Sequence, residues 1–319
     1  DINIFEKIFV SPGISIRNKL FNIKKKSSKI NRDINLYNSY LKNEKVIAIT
    51  GTNGKSTTTK LIGDILVLNN KKTFIGGNIG EPLCNVFLFN KTYNFHVIEL
   101  SSFQLETAKK FNPHVSVITN LSKDHLDRYK SIQDYINQKK KIISNRGFNL
   151  ISIDDKYSKK IYLQKNIKNK ISFSIFNNSA DFYMDNEYIF DNYSKKNIKV
   201  YIKNISKDLY GKFNNQNILI AYICNKLLKL PEKNFLNVVK KYKGLPYRSN
   251  TIIKNKNLKI INNSKSTNLN SAINLITNYN NIYLIIGGIA KEKNFEILSN
   301  YKDRIICIYL FGKSSLFIE

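Results

Sequence analysis

Acidic residues, cysteines and long apolar runs are all scarce in this sequence, and each scarcity excludes something. Cys84, Cys224 and Cys307 are odd in number and lack metal-site spacing. That argues against a disulfide scaffold or a zinc module, and the three read as reduced core residues. No stretch approaches the roughly 18 uninterrupted apolar residues of a membrane-spanning helix, and no charged, apolar, small-residue series marks a signal peptide. A cytoplasmic location with no membrane partner is expected. Methionine is nearly absent: Met184 is the sole example and the chain opens on Asp1. It stops at Phe317-Ile318-Glu319, soon after a strand-like run and with no capping element, so an excerpt truncated at both ends is expected.

The shortage of acid leaves 23 Asp and Glu against 52 Lys and Arg, a formal charge of +29. Such an excess can mark a partner of nucleic acid. Here the lysines are spread along the whole chain and accompany abundant Asn, Ile, Tyr and Phe, residues that share AT-rich codons. A biased genome explains that composition, so nucleic acid is not expected as a partner. A single contiguous basic face would overturn this. With 319 residues, 42% of them hydrophobic, the chain can hold two domains and part of a third.

What is present centres on Val46-Ile47-Ala48-Ile49-Thr50-Gly51-Thr52-Asn53-Gly54-Lys55-Ser56-Thr57. The β-branched, continuously apolar start predicts a strand buried on both faces of a parallel sheet. A helix is predicted from Ser56, with Leu61, Ile62, Ile65, Leu66 and Leu68 at helical spacing. The turn between them places free N–H groups and the positive helix end where an anion can sit. Gly51 and Gly54 allow close backbone approach, Lys55 supplies a charge, and Ser56 a hydroxyl for Mg²⁺. Ile49 stands where the full phosphate-loop pattern has a glycine, so a plain Gly-Asn turn is the alternative.

From Lys45 onward strands and helices alternate, which predicts an α/β fold with ligands at the C-terminal strand edges. Gly76-Gly77-Asn78-Ile79-Gly80 reads as a loop pressed against a ligand or a neighbouring backbone. Glu99 ends the strand His96–Leu100, where a second Mg²⁺ ligand belongs. Ser101 and Ser102 follow it and begin a turn or helix. His125 lies in a polar loop after the strand Val115–Thr119, and a solvated histidine is the alternative reading. On the next helix Ser131 is the expected cap, with Ile132, Tyr135, Ile136, Ile142 and Ile143 as the buried stripe. Lys139 falls in phase with that stripe, whereas Lys140 and Lys141 do not. An inward lysine either snorkels to water or, desolvated, becomes a neutral amine able to take up carbon dioxide as a carbamate.

The run 150–153 is expected to close the main sheet, with short strands and hairpins over 170–205. Asn214 and Asn217 share a face at the start of a helix running to Leu228, positioned to bond a purine or simply to cap the turn. Lys243 to Arg248 reads as a hinge. Beyond it, strands near 251–254 and 258–262, a helix from Leu269, a strand 282–286, a helix near 294–300 and a strand 304–310 form a second, incomplete α/β unit. Ser11-Pro12-Gly13-Ile14, after Ile8-Phe9-Val10, is either a ligand-facing turn or an ordinary one.

Seven short motifs occur in order: Gly51 to Lys55, Gly76 to Gly80, Glu99 to Glu106, Asp124 to Tyr129, Gly244 to Arg248, Ser264 to Asn268 and Gly287 to Lys291. Together they resemble the Mur ligase family, over nearly the whole chain. The resemblance implies an N-terminal UDP-binding remnant over 1–40 and a central phosphate-loop NTPase-like domain with a mostly parallel sheet over 41–246. A partial Rossmann-like, amino-acid-binding domain is implied over 247–319. It implies an ATP-dependent amide ligase, acting as a monomer, that joins D-glutamate to UDP-N-acetylmuramoyl-L-alanine through an acyl phosphate in peptidoglycan precursor synthesis.

In that reading Gly51, Thr52, Asn53, Gly54, Lys55, Ser56 and Thr57 hold the ATP phosphates. Asn214 and Asn217 meet adenine, Arg248 meets the γ-phosphate, and Asn263 and Lys265 lie near the nucleotide. Ser56 and Glu99 would ligate one Mg²⁺, His125 and carbamylated Lys139 a second. Lys55, His125 and Lys139 carry the catalysis. Ser11 and Gly13 touch the uridine diphosphate part, Asn78 and Ser101 the muramoyl-alanine, and Thr267 and Lys291 the glutamate. Two positions depart from the family. Asn263 replaces a usual acidic residue and Tyr247 a common histidine, and loss of the acid predicts weaker ATP binding. The competing readings are a family ligase with a different acceptor and a phosphate-loop protein that binds nucleotide or nucleic acid without ligase chemistry.

Overall fold

The structure, a computed structural model, describes residues 4–16, 29–88, 91–194, 198–266, 268–289 and 295–318. It opens on two short parallel strands, β1 (Ile8–Phe9) and β2 (Ile30–Asn31), and a helix α1 (Asp33–Tyr40). Then follow β3 (Lys45–Thr50), α2 (Lys55–Leu68), β4 (Thr73–Gly77), β5 (Phe95–Glu99), α3 (Ser102–Leu105), β6 (Val115–Ile118) and α4 (Ile132–Lys140). The chain continues through β7 (Phe148–Ser152), α5 (Lys156–Tyr162), β8 (Lys170–Ser174), β9 (Phe182–Asp185), β10 (Tyr188–Asp191) and β11 (Ile198–Tyr201). Two helices, α6 (Lys212–Leu227) and α7 (Glu232–Lys241), come next.

These strands form one nine-stranded sheet in the order β11-β10-β9-β8-β7-β6-β3-β5-β4, parallel from β4 to β9 and antiparallel across β9, β10 and β11. Strand β3 is buried from Val46 to Thr50 because both of its faces are covered, as its unbroken apolarity requires. Ile47 and Ile49 pack with Leu61, Ile62, Ile65 and Leu66 of α2 and with α6 and α7. Val46 and Ala48 face the opposite layer, with α1, α3, α4 and α5. Leu68, predicted inside, ends α2 exposed.

Three expectations need correction. Strand β7 does not close the sheet: β8 pairs beside it in parallel, and the hairpins 182–201 extend the same sheet. The crossover that permits this is α5, capped by Asp155, whose carboxylate accepts from the Tyr157 and Ser158 amides. Of the three free cysteines only Cys224 is fully buried; Cys84 and Cys307 are half-buried. The helix expected near 294–300 is a 3₁₀ segment, Glu296–Tyr301.

After residue 247 come a hairpin, β12 (Asn250–Lys254) with β13 (Lys259–Asn262), a helix α8 (Leu269–Ile276) and a parallel pair, β14 (Ile282–Gly287) with β15 (Ile305–Phe311). A short helix α9 (Ser315–Ile318) follows β15, where no capping element was expected. Leu269, Ile273, Ile276 and Leu298 make a separate small core against Leu284, Ile286 and Ile305. Among the described residues no helix is long and apolar enough to cross a membrane.

Candidate active site

Strand β3 lies between β5 and β6, so the crevice beyond its C-terminal end is where a doubly wound sheet collects ligands. The turn 51–54 leaves β3 there and α2 begins at Lys55. Gly54 adopts φ +83°, in the region glycine tolerates best, and a Cβ on it would lie 2.4 Å from Asn217 Oδ1. The turn is pinned from outside. The Asn53 amide donates to Asn120 Oδ1 at 2.9 Å, Thr119 Oγ1 donates to the Asn53 carbonyl at 2.7 Å, and Thr52 Oγ1 meets Tyr135 Oη at 3.2 Å. Asn120 is itself held by Gln216 at 2.9 Å.

A cavity of about 230 Å³ opens on this turn. It is lined by Thr52, Asn53, Gly54, Lys55, Asn78, Glu99, Ser101, His125, Lys139, Arg248 and Lys265, all singled out from the sequence. Ser102, Phe103, Asp124, Tyr135, Ser266 and Ser271 complete the wall and were not assigned roles there. Asp124 carried a signal, adjacent to His125; Ser266 and Ser271 carried none beyond the small-residue run.

Glu99 at the end of β5 is buried, accepting from Ser56 Oγ at 2.6 Å and from Asn78 Nδ2 at 2.8 Å. Lys139 is 2% exposed, and its Nζ donates to the Gly51 carbonyl at 2.7 Å and to Thr50 Oγ1 at 3.3 Å. The inward phase is as the stripe predicted. Burial holds this amine well below the ordinary lysine range, and the neighbouring Lys55 charge pushes the same way. Lys55, bonded to the Gly51 and Thr52 carbonyls at 3.0 and 2.8 Å, is also lowered by burial, opposed by Glu99 and assisted by Arg248. His125 has φ +54°, its ring is 4.7 Å from that of Phe103, and its Nε2 is 3.5 Å from Asp124 Oδ2. The Tyr135 ring lies 6.3 Å from the His125 imidazole and 4.9 Å from Lys139 Nζ.

Other expected residues, Lys265 apart, lie off the cavity wall. Asn217 is buried, accepting from Thr58 Oγ1 at 3.0 Å and donating to Asn214 Oδ1 at 2.9 Å. Asn263 accepts from the Ser249 amide at 3.2 Å, and the Lys265 amide donates to the Tyr247 carbonyl at 3.1 Å. Thr57 is half-buried near the start of α2. Ser11 and Gly13 sit on the turn after β1, held through their carbonyls by Arg32 and Arg128. Thr267 and Lys291 lie outside the described residues.

The cavity fits a polyphosphate. Arg248 Nε and Ser266 Oγ are buried there with no hydrogen-bond partner among the described residues, and two desolvated lysines face the same space. It also fits a phosphate-bound magnesium ion. Among the described residues no group of three or more His, Cys, Asp or Glu gathers as a metal site. Magnesium needs no such cage, since one or two carboxylates, phosphate oxygens and water suffice.

Sheet, glycine turn and cation-rich crevice define a phosphate-binding α/β protein of the nucleotide-using kind. The Mur ligase middle domain matches residues 49–225. The chain is 37% identical to the UDP-N-acetylmuramoylalanine–D-glutamate ligase of Rickettsia prowazekii, over 97% of its length and 69% of that protein. It is 34% identical to the enzyme of that name from Prochlorococcus marinus, over 98% and 68%. The chain belongs to the Mur ligase family. Solved structures of similar fold include a Thermotoga maritima MurF ligase in complex with ADP, with a TM-score of 0.67 at 16% identity over 99% of this chain and 84% of that one. A pseudomurein peptide ligase type C from Methanothermus fervidus superposes with a TM-score of 0.66 at 19% identity, over 97% and 76%.

Proposed function

We propose that this protein is an ATP-dependent acid–D-amino-acid ligase that joins D-glutamate to UDP-N-acetylmuramoyl-L-alanine in peptidoglycan precursor synthesis, releasing ADP and phosphate. The convergence of Lys55, Glu99, His125, Lys139 and Arg248 on one cavity carries this reading. Identity to D-glutamate ligases along almost the whole chain supports the acceptor. The same reading makes the protein a cytoplasmic monomer without membrane or nucleic-acid partners. It divides the chain into a UDP-binding remnant over 1–40 that lends α1 to the central layer, a ligase domain over 41–246, and a partial amino-acid-binding domain over 247–319.

A carboxylate resists attack by an amine, so the alanine carboxylate must first be activated by taking the γ-phosphoryl group of ATP. Lys55 and Arg248 neutralise phosphoryl oxygens during that transfer, and the turn 51–57 orients the polyphosphate. Ser56 and Glu99 would hold one magnesium ion, His125 with carbamylated Lys139 a second, and both would supply charge neutralisation and alignment. Lys139 suits carbamylation because burial favours its neutral amine, the form that attacks carbon dioxide. Asn78 and Ser101 would meet the muramoyl-alanine, and Ser11 and Gly13 its uridine diphosphate. Asn214 and Asn217 approach adenine once their mutual bond opens, with Asn263 and Lys265 near the nucleotide. Thr267 and Lys291 receive glutamate, whose amine then displaces phosphate from the acyl carbon.

The test is phosphate release with ATP, magnesium and UDP-N-acetylmuramoyl-L-alanine, adding single amino acids in turn. Stimulation by D-glutamate is expected. Stimulation by a different amino acid alone would transfer the chain to another branch of the family, and none from any would remove the ligase reading.

A further inference from the structure

A cluster of three charged side chains beside the N-terminal turn takes no part in the chemistry proposed for the cavity. Arg32, at 0% exposure, and Arg128 both pair with Glu106, the residue that follows helix α3. Glu106 Oε2 lies 2.5 Å from Arg32 Nη2 and 2.9 Å from Arg128 Nη2, while Oε1 accepts from Arg128 Nε at 3.0 Å. One carboxylate between two guanidiniums leaves an excess positive charge, and backbone carbonyls satisfy it. Arg32 donates to the carbonyls of Val10, Ser11 and Ile14 at 3.1, 2.5 and 2.9 Å. Arg128 donates to those of Pro12, Gly13 and Ile14 at 2.9, 3.2 and 3.2 Å. Five consecutive carbonyls, from 10 to 14, are therefore turned toward the two arginines. A trans peptide sets C=O and N–H on opposite sides, so capture of the Pro12 carbonyl points the Gly13 N–H away from Arg128. The guanidinium of Arg128 also lies 3.9 Å from the Phe103 ring centre, and Phe103 packs on His125.

We propose that Glu106 and Arg128 are positioning residues: they fix the turn 11–14 in the shape that receives the uridine diphosphate part of the substrate, and tie that turn to the His125 side of the active site. This rests on the ligase reading given above. Glu106 sets the fork of Arg128, the fork sets the carbonyls, and the carbonyls set the direction of the amides. Arg128→Lys loses the planar fork and the stacking on Phe103 while keeping the charge. Glu106→Gln keeps the shape and leaves two guanidiniums without their shared anion.

The test compares both variants with the wild-type chain by calorimetric binding of UDP-N-acetylmuramoyl-L-alanine and of ADP, and by amide hydrogen exchange over 10–16. The expected result is about 10- to 100-fold weaker binding of the uridine diphosphate substrate, the effect of one or two lost charged hydrogen bonds. ADP affinity should stay within about two-fold, since the nucleotide cradle is untouched, and exchange should rise over 10–16. Wild-type affinity for the uridine diphosphate substrate in a folded variant overturns the proposal, as does equal loss of both ligands, which marks general destabilisation. Should Glu106→Gln fail to fold, Arg128→Lys decides alone. If the wild-type chain binds no uridine diphosphate compound, the ligase reading fails with the substrate half of the proposal, and exchange still judges the clamp.

Discussion

Gly54→Ala is the substitution whose consequences the geometry defines most closely. Gly54 sits at φ +83°, where an L residue is disfavoured by about 1–2 kcal/mol. The new Cβ would meet Asn217 Oδ1 at 2.4 Å, so the Asn217 amide must swing away and give up the bond it accepts from Thr58 at 3.0 Å. A buried hydrogen bond of that kind contributes about 1 kcal/mol. The sum is about 2–3 kcal/mol, which lowers the melting temperature by roughly 4–10 °C for a core of this size. Because the displaced atoms belong to the cradle, ADP affinity should fall at least about tenfold. Thermal unfolding and calorimetry of the purified variant measure both effects. The control is Gly244→Ala, whose Cβ would have Asp208 atoms as its nearest neighbours, at the ordinary contact distance of 3.5–3.6 Å, and whose effect should stay within about 0.5 kcal/mol. Pairing Gly54→Ala with Asn217→Ala should be non-additive by about 1 kcal/mol, since the second change removes the obstruction. An unchanged melting temperature and ADP affinity in Gly54→Ala would refute this account of the turn.

Four other outcomes concern Lys139, His96 and Asn263. Lys139→Met replaces a desolvated amine by an apolar chain: ligase turnover should drop by about 100-fold or more, with no loss of thermal stability. In buffer free of carbon dioxide, where its amine is unmodified, Lys139 binds its proton more weakly in the folded chain than in the unfolded one. Stability should therefore rise with pH toward the unfolded lysine value of about 10.4, and Lys139→Met should flatten that slope in alkaline denaturation curves. His96, bonded to Tyr37 Oη at 2.7 Å, is lowered by burial to about 4. Its neutral form stabilises the fold fully above the unfolded value of about 6.5, and roughly 3 kcal/mol is lost as pH falls to 4, a loss that urea titration of His96→Gln should not show. Asn263→Asp keeps the acceptor used by the Ser249 amide, so it should leave stability unchanged while tightening ATP binding measured by calorimetry.

Much of the cavity lining was legible because its signals are local. The buried run 46–50, the glycine turn and the acid ending β5 are each contiguous, and Lys139 is one residue on a periodic stripe that includes Ile132, Tyr135 and Ile136. The clamp was not legible. Glu106 lies 74 residues from Arg32 and 22 from Arg128; Glu106 and Arg128 stood in two separate motifs, and nothing in the sequence marked Arg32. Likewise Gln216, bonded to Asn120 at 2.9 Å, braces the phosphate turn from a distant helix without any local mark. The extent of the sheet was missed for a different reason: hairpin strands of four residues look alike whether they stand alone or extend a parallel sheet.

A diffraction map of crystals grown with ADP, magnesium and bicarbonate bears on the arrangement at residues 55, 99, 125 and 139 more directly than any rate. The arrangement requires density for a carboxyl group on Lys139 Nζ, reaching a metal ion that His125 also ligates. A bare Nζ still donating to the Gly51 carbonyl, with His125 away from any metal, would contradict it.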